Sequence, residues 1–473
     1  MPGPEWRSRS LAPRHEPEGN GRDRSAAFSL SPAFLAMVLT AGLLGPVGPS
    51  DAQETPPLRG PLDASALSDT PLSAPSAQAP RVPSAANGQG APPPLPEEAP
   101  GTEITPPRIP TPEGIPAGAF RLRTEVTAEM LATDNVRQTE TNRKADIGER
   151  LSARLALESN WPRHTLRGSL EVDETAWQET GLDDLSVGAR IESRLDLAAG
   201  QAASLAAGWR LAPEADGPER LTHALSAEAG WQATGGILRP SFGIGVTRMI
   251  YTNRTSSGDP VSTGDDDYTE PSLRLAVTMD RGGRLRPFVA GSYSWRRHDR
   301  QRNAAGISRD SRGGAVETGI ELDDAIWSGR LALRYAARKY DDPATGTVKG
   351  FGVDAALTWR PDRLLVIDMN AGFGIDDTAV AGAAAVRRYT GRIRATRQLR
   401  ENLSLQAGLA AEYADYAASP DHEFTLRGDI TTEWRLNRYL SLLAGWRIER
   451  QWSTLPNADY LENRLRLGLR HRF

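Results

Sequence analysis

The sequence predicts an all-β protein: a closed antiparallel transmembrane β-barrel of about eighteen strands, with about sixteen as the alternative count. Three observations carry this expectation: apolar and polar residues alternate with a period of two from residue 118 onward, connections alternate between short and long, and tryptophans recur in one phase near strand ends. All three follow from strands that meet lipid on one face and water on the other.

Composition removes the competing classes. The chain has 473 residues with 25% charged, and its mean hydropathy of −0.47 excludes a bundle of transmembrane helices. It does not exclude a barrel, because half the positions of a barrel strand are free to be polar. There is no cysteine, hence no disulfide framework, thiolate chemistry or cysteine metal site. A net charge of −4 on a chain this long gives no reason to expect nucleic acid or a polybasic membrane contact. Arginine outnumbers lysine 53 to 3, the lysines being Lys144, Lys339 and Lys349, which is the mark of a GC-rich genome.

Three regions follow from texture. Residues 1–52 read as a signal peptide with a long N-terminal extension. Ala33 to Leu44 is its apolar core, too short to span as a helix, and Ser50-Asp51-Ala52 places small residues at the cleavage positions so that the mature chain begins at Gln53. Glu16, Glu18 and Asp23 before the apolar core suggest a true start downstream of Met1. Residues 53–117 are dominated by proline and alanine, including Pro92-Pro93-Pro94, and read as a disordered periplasmic segment that offers a contact to peptidoglycan or a periplasmic partner.

From 118 to 473 the pattern is that of the barrel. In Tyr439 to Arg450, Leu440, Leu442, Ala444, Trp446 and Ile448 share one face, and Ser441, Gly445, Arg447 and Glu449 the other. The short connections are Pro162-Arg163, Ala199-Gly200, Gly235-Gly236, Gly282-Gly283, Asp323-Asp324, Pro361-Asp362 and Asn437-Arg438. The long ones are Thr133 to Asp146, Pro213 to Arg220, Thr252 to Tyr268, Arg297 to Arg312, Asp376 to Ala385 and Ser453 to Asp459. A soluble sandwich has no reason to sort its loops by parity; a membrane barrel turns tightly on the periplasmic side and loops freely outside. Trp161, Trp327, Trp359 and Trp434 lie near short turns, where an aromatic girdle belongs. Phe473 ends the chain, with Leu465, Leu467 and Leu469 in its phase, which resembles the terminal strand read by the barrel assembly machinery; His471 departs from the usual residue type.

The barrel resembles the β-barrel porin type 2 family of Gram-negative outer-membrane proteins. The resemblance rests on Phe120-Arg121-Leu122-Arg123, Thr133-Asp134-Asn135-Val136, Ala156 to Trp161, Arg163 to Gly168, and the terminal phenylalanine. It implies residence in the outer membrane among lipid, and a barrel architecture, without fixing substrate or direction of transport.

Strand phase names the residues that face the lumen. They are Arg330, Arg334 and Arg338 on one strand, Arg388, Arg392 and Arg394 on another, Glu412, Asp429 and Glu433, and Arg464, Arg466 and Arg470 on the last. Opposed charges across a constriction would select solutes by charge and dipole. The leading expectation is passive diffusion of small hydrophilic solutes, with exopolysaccharide export, or a structural or adhesive barrel with an occluded lumen, as alternatives. Catalysis is not expected, since His471 phases toward lipid, His164 lies by a short turn, and His223, His298 and His422 have no compelling neighbour in the sequence. Asp265-Asp266-Asp267 reads as a solvated loop tip rather than a calcium site, and no cofactor or metal motif occurs. Oligomeric state is not legible.

Overall fold

A strand in lipid cannot leave an edge of unpaired N–H and C=O groups, so a sheet that crosses a membrane must close on itself. A computed structural model describes residues 112–473 apart from 181–183, 198–199, 215–216, 234, 255–259, 263–266, 303–307, 344–345 and 377–384. The expected signal peptide and nearly all of the proline-rich segment lie outside the described residues.

The strands run β1 (Ile115–Ala117), β2 (Phe120–Thr133), β3 (Asp146–Ser159), β4 (Thr165–Trp177), β5 (Asp184–Asp196), β6 (Gln201–Glu214) and β7 (Gly217–Ala233). They continue with β8 (Leu238–Arg254), β9 (Pro260–Ser262), β10 (Tyr268–Met279), β11 (Leu285–His298), β12 (Ser311–Asp323), β13 (Trp327–Tyr340) and β14 (Thr347–Asp362). The last are β15 (Leu365–Asp376), β16 (Ala385–Arg400), β17 (Leu403–Ala417), β18 (His422–Arg435), β19 (Leu440–Ser453) and β20 (Tyr460–Arg472). Among the described residues there is no helix. Two of the twenty strands, β1 and β9, are three-residue additions to β2 and β8, so eighteen build the wall. Every pairing is antiparallel and joins consecutive wall strands, β8 pairing with β10, and β20 closes the ring on β2 from Glu125↔Arg472 to Thr133↔Arg464.

The alternation sorts side chains as expected. Leu331, Leu333 and Tyr335 are exposed on the outside of β13 while Ala332, Ala336 and Arg338 are buried within. Two aromatic levels bracket this apolar band. At the short-turn end, Phe120 packs on Trp161 at 5.6 Å and Trp327 stacks on Trp359 at 5.3 Å, while Trp434 is exposed. At the long-loop end, Tyr293 meets Trp295 at 4.8 Å, Tyr335 meets Phe351 at 5.2 Å, and Phe424 stacks on Trp452 at 5.6 Å. These are the two interfacial girdles of a membrane barrel.

Three expected boundaries move. The proline-rich segment ends earlier than residue 117, because Ile115–Ala117 pairs back on Leu122 to Phe120 and meets its backbone hydrogen bonds there. Pro213 to Arg220 is not a long loop: the ladder of β6 and β7 continues through a bulge at Pro213/Glu214. The turn expected at Pro361-Asp362 shifts to Arg363-Leu364, because a bulge between Trp359 and Asp362 adds a residue to β14. The expected loop tip at 265–267 is also revised at Asp267, which is 5% exposed and whose carboxylate accepts the Tyr251 N–H at 2.8 Å; Asp265 and Asp266 lie outside the described residues.

One part of the wall is held differently. β14 and β15 share a ladder only from Ala355↔Ala371 to Asp362↔Leu365. Above it Asp354 Oδ1 accepts the Phe373 N–H at 3.1 Å, and Phe373, fully buried, fills the places where side chains on Gly350 and Gly352 would begin. A Cβ on Gly352 would fall 2.1 Å from the Phe373 Cβ, so glycine is what lets β14 lie against this ring.

Candidate functional site

The lumen is where chemistry is available, because the inward phase of the wall carries the charges. On β13, Arg330, Arg334 and Arg338 share the phase opposite the exposed Leu331, Leu333 and Tyr335, and none stands free. Glu317 on β12 receives Arg334 at 2.9 Å, Arg274 of β10 at 3.3 Å, and Arg330. Arg334 also reaches Asp354 of β14 at 3.1 Å. The Arg330 guanidinium lies 3.8 Å over the inward ring of Phe288, a cation–π contact. Arg338 crosses two strands to Glu270 of β10 at 2.7 Å, and Arg296 of β11 bonds the other oxygen of that carboxylate at 2.7 Å. Such long side chains reach past a neighbouring strand because the concave inner wall brings them toward one another.

The seam where the barrel closes repeats the arrangement. Glu433 of β18 holds Arg472 at 2.6 Å and Arg470 at 3.3 Å, and Glu125 of β2 holds the same pair at 2.7 and 3.4 Å. Arg464 bonds Glu462 at 2.6 Å, and Arg466 bonds Thr431 Oγ1 at 2.5 Å. Arg388 pairs with Asp376 at 3.3 Å and with Glu412. Arg392 and Arg394 share the inward phase of Arg388 on β16, paired in register with Ala410 and Gly408 of β17. Asp429 takes the space that a side chain on Gly408 would occupy.

The partners Glu317, Glu270, Glu125, Arg274, Asp354 and Asp376 are missing from the set that the sequence singles out. Their inward phase is legible, but which carboxylate meets which arginine depends on register. The consequence is that arginine and carboxylate interleave along the wall instead of forming rows of one sign.

This network is uneven around the ring. Glu317 and Glu449 have only 6% and 5% of their side chains exposed, whereas Glu192 on β5 and Glu412 on β17 keep 41% and 42%. Buried ionic clusters on β12 and β19 therefore stand beside charged groups on β5 and β17 that keep contact with water. At the long-loop end, the loop after β2 folds onto the inner face of β20. Gln138 Nε2 donates to Glu462 at 3.0 Å and Asn135, fully buried, donates to the Leu461 carbonyl at 3.1 Å.

The terminal strand has the expected exterior. Leu465, Leu467 and Leu469 are exposed on the outside, and Phe473 exchanges backbone hydrogen bonds with Thr124 at 2.9 and 3.3 Å. His471 fits the girdle as an aromatic ring, 4.4 Å from Phe473 and 6.5 Å from Tyr439. His298, expected to lack a partner, is buried with Nδ1 3.4 Å from the Asp310 carboxylate.

A closed eighteen-stranded meander with two aromatic girdles, an apolar exterior and a charged interior defines an outer-membrane β-barrel. The chain belongs to the family described as putative beta-barrel porin 2, whose model matches residues 109–473. Among solved structures it is similar to the FrpB iron transporter from Neisseria meningitidis, with 8% identity over 74% of this chain and 81% of that one and a TM-score of 0.40. It is also similar to the siderophore receptor PirA from Pseudomonas aeruginosa (9% identity, 75% and 80% covered, TM-score 0.37) and to the copper transporter OprC (10%, 78% and 85%, 0.40). At these values the likeness is one of barrel architecture alone. No curated protein sequence matches the chain.

Proposed function

We infer that this outer-membrane barrel is a channel for passive diffusion of small hydrophilic solutes. The observation that carries the reading is the water-exposed charge on the inner wall, Arg190 and Glu192 of β5 and Glu412 of β17, with side chains 36%, 41% and 42% exposed. A barrel filled by packing would bury such groups, at a cost that only complete pairing offsets. Eighteen strands enclose more than their own side chains can fill. Interleaved arginine and carboxylate pairs keep the wall polar while holding its net charge low, which suits solutes of mixed charge. There is no bond-making step; selectivity comes from size and from the field between unequal charges.

The test is conductance of the purified full-length protein in planar bilayers. Discrete open levels under symmetric salt are expected. The variant R330Q/R334Q/R392Q/R394Q is expected to fold and to shift the reversal potential toward cations in a salt gradient. A folded parent protein without conductance overturns the diffusion reading and favours an occluded barrel.

A further inference from the structure

We propose that the outer face of β11 to β14 binds the phosphate groups of the glycolipid in the outer leaflet, through Arg297, Arg312, Lys339 and Lys349. All four belong to the outward phase and are exposed. The ladder brings them together: Arg312 lies directly opposite Lys339, Trp295 lies opposite Arg312, and Lys349 lies opposite Ala337, one diagonal step from Lys339. Arg297 is two residues beyond Trp295 and continues the row. Directly opposed residues on one face of an antiparallel pair have Cβ atoms ~5 Å apart, and like charges there are destabilising.

Elsewhere in the barrel, arginines such as Arg330, Arg334 and Arg338 are balanced by carboxylates. These four cations have no ion pair among the described residues. Two of the carboxylates closest in sequence are committed elsewhere, Asp299 being bonded by Arg248 at 2.5 and 2.6 Å and Asp310 sitting beside His298, while the exposed Asp341, two residues from Lys339, forms no ion pair with it among the described residues. The Arg248 hydrogen bonds hold the Asp299 carboxyl below its ordinary range, so it is ionised and occupied. Lysine is also informative in a chain with 53 arginines, since two of its three lysines stand here.

Height and neighbours choose the occupant. Immediately below the cations runs the long-loop girdle, Tyr293, Trp295, Tyr335 and Phe351, which marks where hydrocarbon ends. From Trp327 in the opposite girdle to Lys339 the strand rises about 40 Å, or roughly 30 Å along the membrane normal at barrel tilt, just above an apolar band ~25 Å tall. At that level on the outside of the barrel, the available anions are lipid phosphates. Lysine and arginine on a lipid-facing surface at headgroup depth are matched by that charge, and the opposed pair Arg312/Lys339 becomes favourable when an anion lies between the two.

The experiment reconstitutes full-length protein in nanodiscs of zwitterionic lipid doped with bisphosphorylated lipid A, and counts retained lipid A by native mass spectrometry. The variant R312Q/K339Q/K349Q, checked for heat-modifiable mobility, is expected to lower retention about tenfold or more. Lipid A stripped of both phosphates is expected to be retained weakly by parent and variant alike. Should the triple variant not assemble, K339Q and K349Q alone carry the test, each lowering retention about fivefold. Equal retention by folded parent and variant overturns the proposal, as does displacement of lipid A by millimolar inorganic phosphate, which would indicate a site for the free anion. Channel selectivity is expected to be unchanged, because these side chains do not face the lumen; the outcome is therefore separate from that of the conductance test.

Discussion

Replacing Glu317 with glutamine removes the one carboxylate that holds three guanidiniums together while keeping its size. Its oxygens lie 2.9 Å from Arg334 and 3.3 Å from Arg274, with Arg330 also bonded, and only 6% of its side chain is exposed. With charge centres about 4 Å apart and an effective dielectric near 20, each attraction is worth ~4 kcal/mol. Against these stand the desolvation of the carboxylate and the mutual repulsion of the three guanidiniums gathered around it, an opposing effect of similar order. After the substitution the repulsion remains and the attraction is gone, with Asp354 at 3.1 Å from Arg334 as partial compensation. Breaking one buried pair costs about 3–5 kcal/mol, so a loss near ~3 kcal/mol is expected after relaxation. Urea unfolding from lipid vesicles reads the stability, and the reversal potential is expected to move toward anions as the lumen gains one positive charge. The double variant E317Q/R330Q is expected to recover a substantial part of the stability and the parent selectivity. An E317Q barrel within about 0.5 kcal/mol of the parent and with unchanged selectivity would refute the view that this carboxylate organises the wall.

Other expectations follow from single positions. An epitope inserted between Gly258 and Asp265 is expected to be antibody-accessible on intact cells, whereas one at Gly282-Gly283, in a tight turn where Gly282 has φ +76°, is not; the reverse pattern would invert the barrel. Deleting Phe473 removes two backbone bonds to Thr124 and the ring beside His471, and heat-modifiable barrel in the outer membrane is expected to fall; normal assembly would remove the role given to this terminal residue. Gly352→Ala places a Cβ 2.1 Å from that of Phe373, which is expected to destabilise by about 1–3 kcal/mol, with Phe373→Gly in the same chain, which removes the overlapping Cβ, restoring part of it. Additive losses in that pair would show that the two positions do not share the strain.

Some of the site was legible and some was not, for reasons that differ by residue. Arg330, Arg334 and Arg338 were readable as inward because a strand has a period of two and Leu331, Leu333 and Tyr335 declare the other face. Glu270 as the partner of Arg338 was not readable, since the two sit 68 positions apart and meet across two intervening strands. Phase is a local property of a strand; partnership is a property of register, and a one-residue slip changes every pair. The seam between β14 and β15 was likewise hidden, because Gly350 and Gly352 read as weak strand residues until Phe373 is seen to occupy their missing side chains. His471 looked anomalous as a polar residue in an apolar phase and is ordinary as a ring between Tyr439 and Phe473.

By itself the sequence determined the class of fold, a strand count near eighteen, most of the alternation of short and long connections, and the phase of residues along each strand. These follow from alternation and turn chemistry, which act over a few residues and leave their mark on neighbouring positions. Tertiary structure alone decided that the luminal arginines are paired rather than aligned in a row, that the β2–β3 loop lies against β20, and that Arg297, Arg312, Lys339 and Lys349 gather on one patch of the outer face. Those outcomes depend on how far each strand is shifted against the next around the closed ring, and that shift is set by the sum of contacts between residues far apart in the chain.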